Sequence, residues 1–196
     1  MKIQKCEYLL SAAACVGVFV APVYAADVSL NPKATYLHIC GDAALNAPAL
    51  ALADLGVAPG ETILIEVFGD WDNGPGGDMF DATCAVFSAS DVLLAGTELN
   101  RVQDAIAAGN PVTTANTFFC NEPTDIPEDF LIASTVSDNS VTVEVPIGAT
   151  HLFFNPNDHL FQDNSDPDGD YMVRITKLTL PVEKITWGRI KSIYQQ

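Results

Sequence analysis

Positive charge is what this chain has least of: nine lysines and arginines stand against 25 aspartates and glutamates, for a formal net charge of −16. Arg101 is the only lysine or arginine between Lys33 and Arg174. A polyanion would be repelled along nearly the whole length, which excludes DNA and RNA and disfavours anionic lipid, while cations and neutral polar ligands stay compatible. Histidine is equally scarce, three in 196 residues. With no CxxC and no histidine pair at ligand spacing, a transition metal lacks its nitrogen and sulfur donors. There is no Gly-x-Ser-x-Gly and no phosphate-cradling glycine loop. With no nucleophile, acid or base identifiable by its partners, the chain is expected not to be an enzyme. Past the first residues no apolar run is long enough to span a bilayer, and there are no internal repeats.

What is there begins with a leader. Lys2 and Lys5 precede an apolar run from Leu9 to Val20 and the small-residue stretch Val23-Tyr24-Ala25-Ala26, the pattern of a secretory signal peptide. Cleavage is expected after Ala25 or Ala26. Residues 1–26 are then a signal peptide, 27–180 a single domain and 181–196 a tail, and the protein is exported to the periplasm, cell surface or extracellular space. Cleavage leaves about 170 residues, enough for one domain with a sizeable core. It also removes Cys6 and Cys15, leaving Cys40, Cys84 and Cys120. Export permits a disulfide; Cys84 with Cys120 is the expected pair, three buried thiols the alternative.

Strand signals dominate the domain. Alternation through Ala34, Tyr36, His38 and Cys40 predicts a first strand, and the alanine-rich stretch 43–55, broken by Pro48, predicts irregular structure or a strand edge. Further strands are expected at 62–68, 84–94, 130–133, 140–145, 151–154 and 171–180, with turn residues between them. Residues 98–108 carry helical spacing, stopped at Gly109-Asn110-Pro111. The expected fold is all-β, an antiparallel sandwich with a short helix in an insertion. The tail combines Lys184, Arg189 and Lys191 with Ile185, Trp187, Ile190, Ile193 and Tyr194, either an amphipathic appendage or a frayed terminus.

The densest chemistry lies between the last two strands. Asp158, Asp163, Asn164, Asp166, Asp168 and Asp170 crowd one loop, and oxygen ligands on a short loop between strands are what calcium requires. A solvated acidic turn is the plain alternative. Asn164 to Gly169 imitates the start of an EF-hand, but Ile175 stands where the bidentate glutamate belongs, so that motif is rejected. The same acids would at most line a second, weaker calcium position. Trp71 is either a core aromatic or a platform for the apolar face of a pyranose. Asp125, Glu128 and Asp129 lack the spacing of a glycosidase pair and read as acids solvating a proline-rich turn.

Two segments together, Pro59 to Pro75 and Phe154 to Ser165, resemble the LecA-type calcium-dependent galactose-binding bacterial lectins, over about half of the mature chain. The resemblance implies a jelly-roll sandwich of galactose-binding-domain type with calcium holding a sugar at one end. Position by position it implies a backbone carbonyl ligand at Asn73 and side-chain ligands at Asp158, Asp163 and Asn164. The loop is shorter than the family's, which leaves Leu160 for the remaining carbonyl. Asp158, His159, Asp163 and Trp71 would then meet the sugar. The family's sugar-contacting loop is cut here to residues 76–81 without its His and Gln, and 110–129 is inserted instead, so galactose itself is not implied.

The expected function is an exported, calcium-dependent carbohydrate-binding or adhesion module. The alternative is a calcium-stabilised structural or protein-interaction domain of the cell surface or matrix. The expected cofactor is Ca2+, and the expected partners are a glycan and further copies of the chain in a homo-oligomer, with no nucleic acid.

Overall fold

Residues 62–68 alternate as a strand with one wet face should: Ile63, Ile65 and Val67 are buried while Thr62, Leu64 and Glu66 are only half-buried and Phe68 is exposed. Residues 83–88 do not alternate, because all six are buried. That contrast separates two sheets, one covered on a single face and one covered on both. The computed structural model describes residues 25–74, 82–109, 112–115, 118–119, 122–123, 126–134 and 137–178. Its strands are β1 (Ala25–Ser29), β2 (Ala34–Thr35), β3 (Leu45–Asn46), β4 (Leu50–Ala51), β5 (Thr62–Phe68), β6 (Asp72–Asn73), β7 (Thr83–Ser88), β8 (Ala105–Ile106), β9 (Phe118–Phe119), β10 (Glu122–Pro123), β11 (Phe130–Ala133), β12 (Ser140–Glu144), β13 (His151–Pro156), β14 (Asn164–Ser165) and β15 (Met172–Leu178).

The first sheet runs β1-β15-β5-β12 and the second β11-β7-β13-β4, with β8 also on β7. All of these pairings are antiparallel. The fold is therefore all-β, two antiparallel sheets face to face. The main core lies between them: Ile63, Ile65, Val143, Val173 and Ile175 meet Ala85, Phe87, Leu152 and Phe154, and Phe87 stacks on Phe130 with centroids 5.5 Å apart. The opposite face of the second sheet carries Cys84, Val86 and Phe153, covered by Tyr36, Leu37, Val102, Ile126 and Phe161 from loops. Period-two side-chain geometry sends neighbours such as Phe153 and Phe154 to opposite cores.

Residues 34–40 form a strand only at Ala34–Thr35. The Thr35 hydroxyl accepts from the Leu37 amide at 2.9 Å and turns the chain, so that Tyr36 and Leu37 are both buried. The expected strand 84–94 ends at Ser88, and 140–145 and 151–154 end at Glu144 and Pro156.

The helix expected over 98–108 is absent. Leu93 bridges Val102, and Ala105–Ile106 pairs with β7, an extended hairpin in which Asn100 and Asp104 take φ of 50° and 54°. Arg101 overrides the local propensity. Its buried guanidinium donates to the carbonyls of Leu94 (3.1 Å), Thr35 (3.3 Å) and Leu37 (2.6 Å) and to Asn46 Oδ1 (2.5 Å), bonds that a helix on the surface would forfeit. Helical structure among the described residues is the single 3-10 turn Phe161–Asp163.

The expected Cys84–Cys120 pair is also overturned. Cys84 is a buried free thiol, and Cys40 is disulfide-bonded to a residue outside the described ones. Cys84 points into the loop-covered core, where no bridge reaches it. Residues 1–24, the loop 76–81, parts of the insertion 110–129 and the tail 181–196 lie outside the described residues.

Burial, and secondarily the charge of Asp129, pushes the Cys84 thiol well above its ordinary pKa. Iodoacetamide should therefore leave the folded protein unlabelled at Cys84 and modify it, but not Cys40, in denaturant without reductant; mass mapping reads both. Phe87→Ala should cost about 3–5 kcal/mol in urea unfolding, because the ring is removed from between two packed sheets.

Candidate calcium site at one end of the sandwich

At one end of the sandwich β5 and β13 finish while β7 and β15 begin. Gly69 turns the chain there with φ of 70°, and any Cβ would collide with the Asp170 backbone and carboxylate. The Asp70 amide then donates to Asp170 Oδ1 at 3.2 Å. Trp71 follows inward, 0% exposed, with Tyr171 at 6.3 Å between centroids. The Tyr171 hydroxyl shares a 2.9 Å hydrogen bond with Thr83 Oγ1, tying the two sheets together. Trp71 thus takes the core alternative, and its ring offers no face to a sugar.

The next residues form a short antiparallel ribbon, β6 on β14, with Asn73 opposite Asn164 and Asp72 opposite Ser165. Gly74, at φ of 87°, lies so close that an added Cβ would sit 3.0 Å from Asp163 Oδ2. Asn73, Asp163 and Asn164, some ninety residues apart in sequence, are thereby brought together. Asp158 and Leu160 lie on the loop leading into the ribbon. The Asp158 side chain is 6% exposed; its Oδ1 accepts from the His159 amide at 2.7 Å and faces His159 Nδ1 at 3.2 Å. The His159 side chain is 79% exposed, at the rim. Leu160 is extended, with φ −143° and ψ 91°.

Residues that sequence reasoning missed pin this loop. Asp42 caps the 3-10 turn, Oδ2 accepting from the Phe161 amide at 2.6 Å and Oδ1 from the Gln162 amide at 3.0 Å. Lys33 Nζ donates to the Gln162 carbonyl at 3.0 Å, and Asn164 Nδ2 to the Pro32 carbonyl at 2.8 Å. Phe161 anchors the turn in the loop-covered core. No local pattern marks Asp42, because its partners lie 119 and 120 residues downstream.

Asn164 is 0% exposed and spends its amide on Pro32, while its Oδ1 has no donor. Asp72 Oδ1, across the ribbon, is also buried without a donor. Buried acceptors without partners are rare in folded proteins. A hard cation satisfies carboxylate and amide oxygens without supplying a proton, and the oxygens of Asp163, Asn164 and Asn73, which the ribbon brings together, are of the kind calcium takes, with Asp158 and Leu160 on the loop that leads to them.

The neighbouring carboxylates of Asp166, Asp168 and Asp170 offer oxygens within 4.8 Å of one another. Asp166 is largely occupied by the turn, accepting from the amides of Gly169 (2.9 Å), Asp170 (3.3 Å) and Tyr171 (3.4 Å). Loss of hydration, then repulsion from Asp170 and Asp166, raises the Asp168 pKa. Ile175, at the rejected EF-hand position, is in the main core.

Asp129 is not the turn acid it was expected to be. It is buried, with Oδ2 accepting from the Tyr36 hydroxyl at 3.3 Å. Burial pushes its carboxyl up to about 7, against hydrogen bonds from Tyr36 and the Ala115 backbone that lower it. Asp125 lies outside the described residues. Comparison with protein-family models, curated proteins and solved structures finds no match.

The folded chain holds the Asp129 proton to about pH 7, whereas the unfolded chain releases it near pH 4. The native state binds more protons in that window, so stability falls as pH rises through it, by on the order of 4 kcal/mol. Urea midpoints measured from pH 4 to pH 8 should show this decline, and Asp129→Asn should flatten it.

Proposed function

We propose that the protein is an exported calcium-dependent carbohydrate-binding module, in which Asp158, Asp163 and Asn164 hold the ion with the carbonyls of Asn73 and Leu160. The buried, donorless Oδ1 of Asn164 carries this reading: it stands beside Asp163 on a ribbon whose other strand holds Asn73. Calcium takes six to eight oxygens, so a five-ligand protein shell leaves positions for two vicinal sugar hydroxyls or for water. A neutral polyol suits an acidic surface that repels anions. The exposure of His159 beside Asp158 supports a role for its ring in meeting such a ligand.

The burial of Trp71 favours a second reading, in which the ion only ties loops together and the module binds another protein. Lectin-like sites commonly present an aromatic face to a sugar, and this tryptophan does not.

Calcium titrated into the chelator-treated mature protein should bind and raise the melting temperature, since a ligand of the native state at a hundred times its Kd adds about 2.7 kcal/mol. Asp163→Ala should lose both calcium binding and any calcium-dependent signal on a glycan array. Calcium binding with a silent array would favour the structural reading. Absence of calcium binding would sink both.

A further inference from the structure

We propose that the basic, apolar tail, residues 179–196, docks on the chain's own body, in the groove between the β12 edge of the first sheet and the β11 side of the second. Among the described residues β12 pairs only with β5 and β11 only with β7. The outer edge of β11 is met by a loop, because the Leu131 amide donates to the Thr113 carbonyl at 2.9 Å. No described strand pairs with the outer edge of β12, and an open edge is where a further segment adds. Beside it runs a groove in two sections, of about 380 and 480 Å³, which share Val112 and Thr142. Ala108, Val112 and Val141 along it are only partly buried against the main core, so each keeps apolar surface that an occupant would cover.

Position, charge and composition single out the occupant. Leu178, the last residue of β15, stands opposite Thr62, and Thr62 opposite Glu144 of β12, which lines the groove. The tail therefore leaves the sandwich two strand spacings, about 10 Å, from the groove, and residues 179–184 reach up to about 20 Å. A carboxylate lines each section, Glu144 in one and Asp138 in the other, and no lysine, arginine or histidine lines either. The tail brings Lys184, Arg189 and Lys191 against the single acid Glu183, interleaved with Ile185, Trp187, Ile190, Ile193 and Tyr194. Opposite charges at the rim set the register while apolar side chains fill the groove. The leader lacks this interleaving, since its two lysines precede its apolar run. A tail docked here closes the open side of the sandwich and keeps β12 from pairing with another chain. None of the calcium ligands takes part, so the docking holds with the ion or without it.

The test follows Trp187 in the whole protein, labelled with 13C at valine methyls, with the indole resonance assigned by comparison with Trp187→Phe. Nuclear Overhauser contacts are expected from the Trp187 ring to the methyls of Val112 and Val141, together with protection of the ring from acrylamide quenching, both unchanged on dilution. Thr142→Arg, at an exposed position, puts bulk and a cation into the groove. It should remove both contacts and raise the Trp187 quenching constant several-fold while leaving circular dichroism unchanged. Absence of the contacts, quenching as fast as that of free tryptophan, or contacts that survive Thr142→Arg would each overturn the proposal. Contacts found only between labelled and unlabelled copies would overturn it in favour of a dimer joined through this groove.

Discussion

Everything in the molecule depends on the ladder between β7 and β13, six residue pairs from His151 opposite Ser88 to Pro156 opposite Thr83. Its strands are apolar on both faces, and an antiparallel sheet of that kind must be covered twice. The first sheet covers one face. Beyond two-stranded ribbons, no further sheet among the described residues covers the other, so loops do it, and Tyr36, Leu37, Val102 and Phe161 become core residues in segments that look like connections. The loop bearing Asp158, Asp163 and Asn164 is thus not free to move as a surface loop would. Phe161 fastens its middle, and Asp42 and Pro32 fasten its backbone and Asn164.

Charge follows from the same constraint. Arg101, the one basic residue in a long acidic stretch, is buried with the covering loops and donates to carbonyls rather than to carboxylates. Arg174 and Lys177 are committed to Asp27 and Glu61 on the first sheet. The carboxylates from Asp158 to Asp170 stand beside amides, other carboxylates and, at Asp158, the His159 ring. At Asp168 loss of hydration first, and repulsion from Asp170 and Asp166 second, raise the pKa. Burial likewise governs Asp129, which sits under the covering loops and holds its proton in a range where an exposed carboxylate would have released it.

The strands most legible in the sequence are those whose side chains follow one period without interference. Thr62 to Phe68 was expected and found with the same limits, and Phe130 to Ala133 likewise. Illegible were the segments recruited as covers. Residues 98–108 have helical spacing, yet the demand that Arg101 reach four acceptors on other segments outweighs a few tenths of a kcal/mol per residue of propensity. Residues 34–40 alternate, yet a single threonine hydroxyl turns them. Of the candidate site, the acids and the glycines were visible as composition. The facing of Asn73 and Asn164 was reachable only through a resemblance, since pairing across ninety residues leaves no local trace.

The sequence by itself determined the all-β class, the excess of negative charge and the crowding of carboxylates before the last strand, because periodicity, net charge and local composition are properties of neighbours along the chain. Only the tertiary structure decided that Trp71 is core, that Cys84 is free, that Asp42 holds the acidic loop and that Asn164 keeps an oxygen without a donor. Each of these depends on which distant segment arrives to cover a buried face, and the energy that selects that segment is summed over the whole packed core rather than stored in any local pattern.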